Sequence, residues 1–196
     1  MNGNNETNLI NKIAAGDEPA FNEVYGSHRN RIFGFVYRMT FNQTIAEDIT
    51  HEVFVFLIEN PKRFYAERGS ILTFLCAVAR NLVMNHLRLK YNSDIAIDEY
   101  EDFDVAESGT KNNPLSELLK MEMAAQIDAC IAALPPLQRE AIILREFQGL
   151  SYEEIAKVTG AEKSAVKTRL HRARQTLAGQ LSAYVSLPKD KSYELC

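Results

Sequence analysis

The sequence predicts an all-α fold made of two small helical domains. Apolar residues recur every three to four positions along most of the chain, and no segment shows the sustained alternation that is typical of a strand. An acidic stretch without helical period separates two such regions. With 196 residues, of which 46% are hydrophobic, the chain is long enough for one or two globular cores. These numbers exclude a disordered chain and a disulfide-dense mini-protein.

The first predicted domain, residues 1–91, begins with two helices. Gly16 ends a short first helix, and Asp17-Glu18-Pro19 opens the second. An acidic residue and a proline are both favoured in the first turn of a helix. Helical spacing of apolar residues then continues to about residue 40.

Two further helices complete this domain. Thr44-x-x-Glu47 predicts a capping box at the start of the third helix, and Asn60-Pro61 predicts its end. A polar loop follows from Lys62 to Gly69. Ser70 is the predicted N-cap of a long helix with one apolar face.

A linker is predicted at residues 92–114. The stretch from 92 to 119 carries a net charge of −7, whereas residues 1–91 carry +1 and residues 134–181 carry +3. The total charge of −4 therefore hides a basic second half behind an acidic tether. An acidic total does not exclude a nucleic-acid partner here.

The second predicted domain, residues 115–184, starts with an amphipathic helix that Pro135-Pro136 breaks. A helix from Leu137 to Phe147 follows, and residues 185–196 form a tail. The capping box Ser151-x-x-Glu154 then opens a short helix that ends at Gly160. A final helix is expected from about residue 162 to 181.

Residues 151–174 have the pattern of a helix-turn-helix. A short helix, a turn glycine and a second helix occur in order, with small Ala156 where two helices would cross closely. The second helix has no acidic residue from 163 to 174 and five cations: Lys163, Lys167, Arg169, Arg172 and Arg174. Such a face suits phosphates and guanine edges in a major groove, although a solvated basic helix would have the same composition.

The residues then show a family resemblance. The stretch LPPLQREAIILREFQGLSYEEIAKVTGAEKSAVKTRLHRARQTL resembles the C-terminal promoter-binding domain of sigma-70-family factors, in particular the small extracytoplasmic-function (ECF) group. In the first half, IAEDITHEVFVFLI is similar to the family's core-polymerase-binding helix, and FLCAVARNLVMNHLR to its minus-ten-reading helix. The matches stand in the family's order and cover most of residues 9–90 and 120–181.

The resemblance implies three sets of site residues. Docking on the coiled coil of the polymerase's largest catalytic subunit would use Glu47, Asp48, Glu52, Val53 and Phe54. Minus-ten DNA would be recognised and melted by Arg63, Phe64, Arg68, Ser70, Phe74, Arg80, Asn81, Asn85 and Arg88. Minus-thirty-five DNA would be read by Lys163, Ser164, Ala165, Lys167, Thr168, Arg169, His171 and Arg172.

Other interpretations of these residues stay open at this point. Glu47 could simply cap its helix, and Phe64 with Tyr65 could belong to a satellite core rather than stack on a base. Many relatives carry Trp where Phe74 stands, and an acid where Asn85 stands. A Phe at position 74 could still pack or wedge between bases.

Composition limits the other functions. Cys76, Cys130 and Cys196 show no metal-ligand spacing and are expected to be reduced, mostly buried thiols; the four histidines are scattered, so we expect no metal. No phosphate loop or catalytic grouping is present, so no cofactor and no enzyme activity are expected. No apolar run could span a membrane, and no secretory signal is evident, so the expected location is the cytosol. The family resemblance implies that this is a bacterial cytoplasm.

The sequence thus predicts an alternative sigma factor whose partners are core RNA polymerase, through the coiled coil and the flap, promoter DNA and an anti-sigma factor. The alternative is a helix-turn-helix operator-binding regulator whose first half senses a ligand or dimerises. Core-dependent transcription separates the two.

Overall fold

A computed structural model of the chain describes residues 3–92 and 114–185, and these residues form only helices and turns. The predicted all-α class is confirmed. The predicted linker and the C-terminal tail lie almost entirely outside the described residues, as does Cys196. The α-helices are α1 (Gly3–Ala14), α2 (Glu18–Thr40), α3 (Gln43–Glu59), α4 (Ile71–Asn92), α5 (Pro114–Ala132), α6 (Pro136–Ile142), α7 (Tyr152–Thr159) and α8 (Lys163–Val185).

The start of α3 differs from the predicted capping box. Asn42 is the N-cap, because its side-chain oxygen accepts from the Ile45 backbone N–H at 2.9 Å. Glu47 instead accepts a hydrogen bond from Gln43 one turn earlier, at 3.0 Å. Phe41 closes α2 with a left-handed φ of 49°, so the chain reverses within two residues and Asn42 reaches the capping position before Thr44. The prediction of a Thr44 cap was wrong.

The other predicted helix starts agree with the structure. Asp17 caps α2 by accepting from the Ala20 backbone N–H at 2.9 Å. Ser151 and Glu154 form the predicted reciprocal capping box of α7. The predicted helix from Leu137 to Phe147 is α6 followed by a π-helical turn, Ile143–Phe147, whose wider winding lets the chain turn toward α7.

The hydrophobic core runs through both halves of the chain without interruption. Phe35, Phe54 and Leu75 are fully buried in the first half, as are Ile143 and Leu170 in the second. Helix α4 packs against α7, and α2 packs against α5, α6 and the π-helical turn. The two predicted domains therefore contact each other along α2 and α4, an arrangement that we call the closed arrangement.

Candidate nucleic-acid interface

A cavity of about 490 Å³ opens between the loop after α3 and the first turns of α4. Its walls carry four aromatic rings, and the Phe64 and Phe74 rings meet edge to face at 5.9 Å. The Arg63 guanidinium lies 5.6 Å from the Phe56 ring centroid, and Arg68 lies 5.0 Å from that of Tyr65. Aromatic faces beside cations can hold a base and its phosphate.

The loop that forms this cavity is held rigidly at its end. Gly69 adopts φ 146°, ψ −178°, a conformation that is essentially restricted to glycine, and a Cβ there would lie 3.1 Å from Thr73 side-chain carbons. Ser70 caps α4, as predicted, by accepting from the Thr73 backbone N–H at 3.2 Å. Glu6 of α1 accepts from the Ile71 backbone N–H at 3.2 Å, so α1 also fixes this helix start.

The predicted loop residues fall into two environments. Phe64 is only 8% exposed and packs at the edge of the core. This agrees with the alternative that the Phe64 side chain has a packing role. Tyr65 is 52% exposed and available for stacking, although the sequence-based set did not include it. Phe64 and Tyr65 both have extended backbone, so their side chains point to opposite sides. Phe64 faces the core, and Tyr65 therefore faces outward.

Helix α4 presents an exposed polar stripe along one side. Asn81, Asn85 and Arg88 are exposed and lie three to four residues apart, so they share a face that continues Phe74. Arg88 donates to the Asn85 side-chain oxygen at 3.2 Å. The amide groups and the guanidinium of this stripe are donors and acceptors that suit base edges and phosphates.

Arg80 does not belong to that stripe. It lies about 100° around α4 from Asn81 and faces the second half of the chain. Its Nε donates to Glu140 Oε1 at 2.7 Å. Thr73, two turns earlier on the same side, donates its hydroxyl to Glu154 Oε1 at 3.1 Å. Arg80, which was predicted to contact minus-ten DNA, and Thr73 on the same side of α4 are thus occupied by contacts with the second half.

Glu140 is a fully buried carboxylate at this contact. Burial raises the pKa of Glu140 above its ordinary value, and the hydrogen bond and charge of Arg80 offset part of that rise. Its second oxygen, Oε2, has no hydrogen-bond partner among the described residues. Sequence reasoning missed Glu140 because an acid in an amphipathic helix normally faces solvent.

The helix-turn-helix is formed as predicted. Gly160 takes a left-handed φ of 66° between α7 and α8, and Val166 and Leu170 are fully buried against the rest of the domain. Most of the predicted minus-thirty-five residues are exposed along α8: Lys163, Ser164, Lys167, Thr168, His171 and Arg172. Ala165 and Arg169 are half-buried. Glu153 pairs with Lys163, and Glu146 pairs with Arg174 at 2.6 Å.

Helix α3 carries an exposed acidic face. Glu47, Asp48 and Glu52 are exposed, whereas Val53 and Phe54 are 0% and 2% exposed in the core. The carboxylates can meet a basic partner directly. Val53 and Phe54 can influence such a partner only by positioning α3, because their side chains do not reach the surface.

The described residues contain no group of side chains that could hold a metal ion. Cys76 and Cys130 are buried free thiols, as expected from the sequence. Among the helices of residues 3–92 and 114–185, none combines the length and apolarity needed to cross a bilayer.

Two family profiles match the chain. Sigma-70 region 2 matches residues 24–91, which contain the aromatic rings of the cavity and the α4 stripe. Sigma-70 region 4 matches residues 124–177, which contain the helix-turn-helix.

Curated relatives resemble the chain along most of its length. The ECF RNA polymerase sigma-E factor of Haemophilus influenzae is 30% identical over 88% of this chain and 93% of its own length. SigW of Bacillus subtilis, an ECF RNA polymerase sigma factor, is 30% identical over 88% of this chain and 94% of its own length. BldN of Streptomyces coelicolor is 30% identical over 87% of this chain, which spans 63% of that longer relative.

Two solved structures share the fold. CnrH in complex with the cytosolic domain of CnrY has a TM-score of 0.68 at 21% identity, covering 91% of this chain and 97% of the other. RpoE of Bartonella quintana, in complex with the anti-sigma factor NepR, has a TM-score of 0.68 at 22% identity, covering 83% and 96%.

Proposed function

The chain belongs to the sigma-70 family, in its extracytoplasmic-function group, and on that basis we propose that it is an alternative sigma factor that directs promoter-specific initiation by core RNA polymerase. One observation carries the proposal. The aromatic cavity with its polar α4 stripe, and the basic face of α8, lie in the two matched regions of one chain.

We assign the two promoter contacts to separate parts of the chain. Residues 1–91 dock on the polymerase and open the minus-ten element, where the cavity accepts an extruded base and Asn81, Asn85 and Arg88 read or hold the strand. Residues 115–184 place α8 in the major groove of the minus-thirty-five element. Residues 92–114 tether the two. RNA synthesis itself belongs to the polymerase, in the bacterial cytoplasm.

Polymerase docking is assigned to the acidic face of α3. Its three exposed carboxylates face outward beside the half-buried Val55, which suits a basic helix such as one strand of a coiled coil. The flap of core RNA polymerase is the partner that we propose for residues 115–184.

Promoter binding requires the closed arrangement to change. Arg80 must leave Glu140 before it can meet a phosphate, and the two DNA-reading helices must reach elements that lie apart on the promoter. An anti-sigma factor that holds the domains together would prevent both steps. RpoE, one of the structural neighbours, is in complex with the anti-sigma factor NepR, and we extend an anti-sigma partner to this chain.

Transcription in vitro tests the proposal. Overexpression of the chain in bacteria, followed by mapping of the DNA to which it binds, identifies candidate promoters. The full chain, added to bacterial core polymerase, is expected to start transcription from these promoters. Asp48→Arg should reduce binding to core about tenfold, because it places a cation against a basic partner. Glu23→Arg makes the same charge reversal on the exposed side of α2 and should leave core binding unchanged.

A chain that binds duplex DNA without polymerase, and gives no promoter-specific initiation with it, would contradict the proposal. That result would favour an operator-binding regulator. Equal losses in Asp48→Arg and Glu23→Arg would contradict the assignment of the docking face alone.

A further inference from the structure

The cavity beside α4 has a wall that comes from the second half of the chain. Most of its lining lies between Phe56 and Asn81, but Lys157 and Val158 of α7 also line it. The contacts Arg80 to Glu140 and Thr73 to Glu154 hold α7 against α4 at this point. In the closed arrangement the cavity is therefore a pocket between two domains, and its volume of about 490 Å³ is in the range of small-molecule sites.

The lining is electropositive. Arg63, Arg68 and Lys157 contribute three cations, and no aspartate or glutamate is among the lining residues. Phe56, Tyr65 and the other rings supply flat apolar faces. A ligand that satisfies both features is an anion that carries a planar aromatic ring.

Two polar groups of the pocket have no partner among the described residues. The Asn81 amide makes no hydrogen bond there, so its donor and acceptor can pair with the edge of a base. Lys157 forms no ion pair there either. Burial acts to raise the pKa of Glu154, but hydrogen bonds from Ser151 and Thr73, and last the Lys157 charge, lower that pKa overall, so this carboxylate already has its partners. The Lys157 ammonium thus remains available for a phosphate.

We propose that the closed arrangement binds a free mononucleotide in this pocket, with Lys157 of α7 adding a phosphate contact to those that Arg63 and Arg68 of the first domain offer. A nucleotide bound to both domains would stabilise the closed arrangement and, by linkage, weaken promoter binding. The same chemistry, a base with its phosphate, is present in a promoter strand. Helix α7 forms a wall of the pocket only while the two domains are together, and promoter binding separates them. The ligand of the closed pocket is therefore a free nucleotide rather than a promoter strand.

Calorimetric titration of the full chain, without polymerase or promoter DNA, tests this site. The probes are adenosine 5′-monophosphate, thymidine 5′-monophosphate, adenosine and a single-stranded thymidine pentanucleotide. At least one monophosphate should bind, and adenosine should bind several-fold more weakly than its monophosphate. Lys157→Ala should weaken the monophosphate about five- to tenfold. Lys12→Ala removes an exposed lysine of α1 that does not line the pocket and should change nothing.

The radius of gyration supplies a second measurement. Saturating monophosphate should shift the chain toward the more compact form in X-ray scattering, and should do so less in Lys157→Ala at the same concentration. Because polymerase and promoter are absent, a negative result here leaves the proposed sigma activity standing.

Four results would overturn the proposal. These are no monophosphate binding at millimolar concentration, equal losses in Lys157→Ala and Lys12→Ala, equal affinity for adenosine and its monophosphate, and a pentanucleotide that binds more tightly than either monophosphate and is insensitive to Lys157→Ala. The last would make the cavity a strand site of the first domain alone.

Discussion

Replacing Glu140 by leucine should open the closed arrangement. Glu140 is fully buried and bonds Arg80 at 2.7 Å, and Arg80 retains only 22% of its side-chain exposure. Leucine fills a similar volume but leaves the guanidinium without its hydrogen-bond acceptor as well as its counter-charge. The unpaired cation can recover its solvation only if α4 and α6 separate.

The magnitude follows from the partial burial of the pair. Removing one partner of a buried ion pair costs about 3–5 kcal/mol. Two features reduce this cost. Water reaches part of Arg80, whose side chain is 22% exposed. Burying the Glu140 charge is itself unfavourable, as its raised pKa indicates, and leucine removes that penalty. A net effect of about 1.5–3 kcal/mol is therefore expected, which corresponds to roughly a ten- to hundredfold fall in the ratio of closed to open chain.

Two measurements check this expectation. The radius of gyration from X-ray scattering should rise in Glu140→Leu, and the free chain should bind a single-stranded minus-ten oligonucleotide more tightly because Arg80 is released. Glu146→Leu is the matched control, since its pair with Arg174 is 48% exposed on both sides and lies within the second half. Exposed pairs contribute little, so this variant should keep the compact form.

The double variant Glu140→Leu with Arg80→Met provides the refuting outcome. Replacing both charges by apolar side chains removes the unpaired cation, so the compact form should return. If the double variant is as open as Glu140→Leu, the uncompensated charge is not the cause, and the reasoning fails.

Three further predictions concern the same chain. Acidification should increase the compact fraction in scattering, because a carboxyl whose pKa is raised by burial, as that of Glu140 is, binds its proton more tightly in the closed form, and the neutral carboxyl, unlike leucine, still accepts the hydrogen bond from Arg80; a more open chain at low pH would contradict this. Gly69→Ala should lower the free energy of unfolding by about 1–3 kcal/mol in urea denaturation and reduce promoter opening, whereas Gly26→Ala, with nothing within 4 Å of its added Cβ, should not. Burial raises the pKa of the Cys76 thiol to about 12, so iodoacetamide at pH 8 should modify Cys76 only after unfolding, as followed by mass spectrometry; rapid modification of the native chain would show that the thiol is accessible.

Local signals in the sequence were sufficient for the helices and for the helix-turn-helix. Ser151 and Glu154 lie three residues apart, and that spacing alone places the oxygen of each within reach of the other's backbone N–H. The Thr44 box failed because Asn42, two residues earlier, caps equally well and follows the left-handed Phe41, which no local pattern indicates.

The part of the candidate site that depends on local spacing was also predicted from the sequence. The stripe of Asn81, Asn85 and Arg88 follows from helical spacing, since all three share the period of α4. Burial is different, because it depends on what packs against a residue from elsewhere in the chain. The sequence did not distinguish exposed Tyr65 from buried Phe64 beside it.

By itself, the sequence determined the all-α class, the helix-turn-helix and the family, because each depends on residue types at fixed short spacings. Only the tertiary structure decided that Arg80 faces Glu140, 60 positions away, and that Lys157 lines a cavity formed by the first domain. The physical reason is that both contacts come from packing α4 against the second half of the chain. No local rule of spacing, capping or charge specifies which two distant surfaces bury each other.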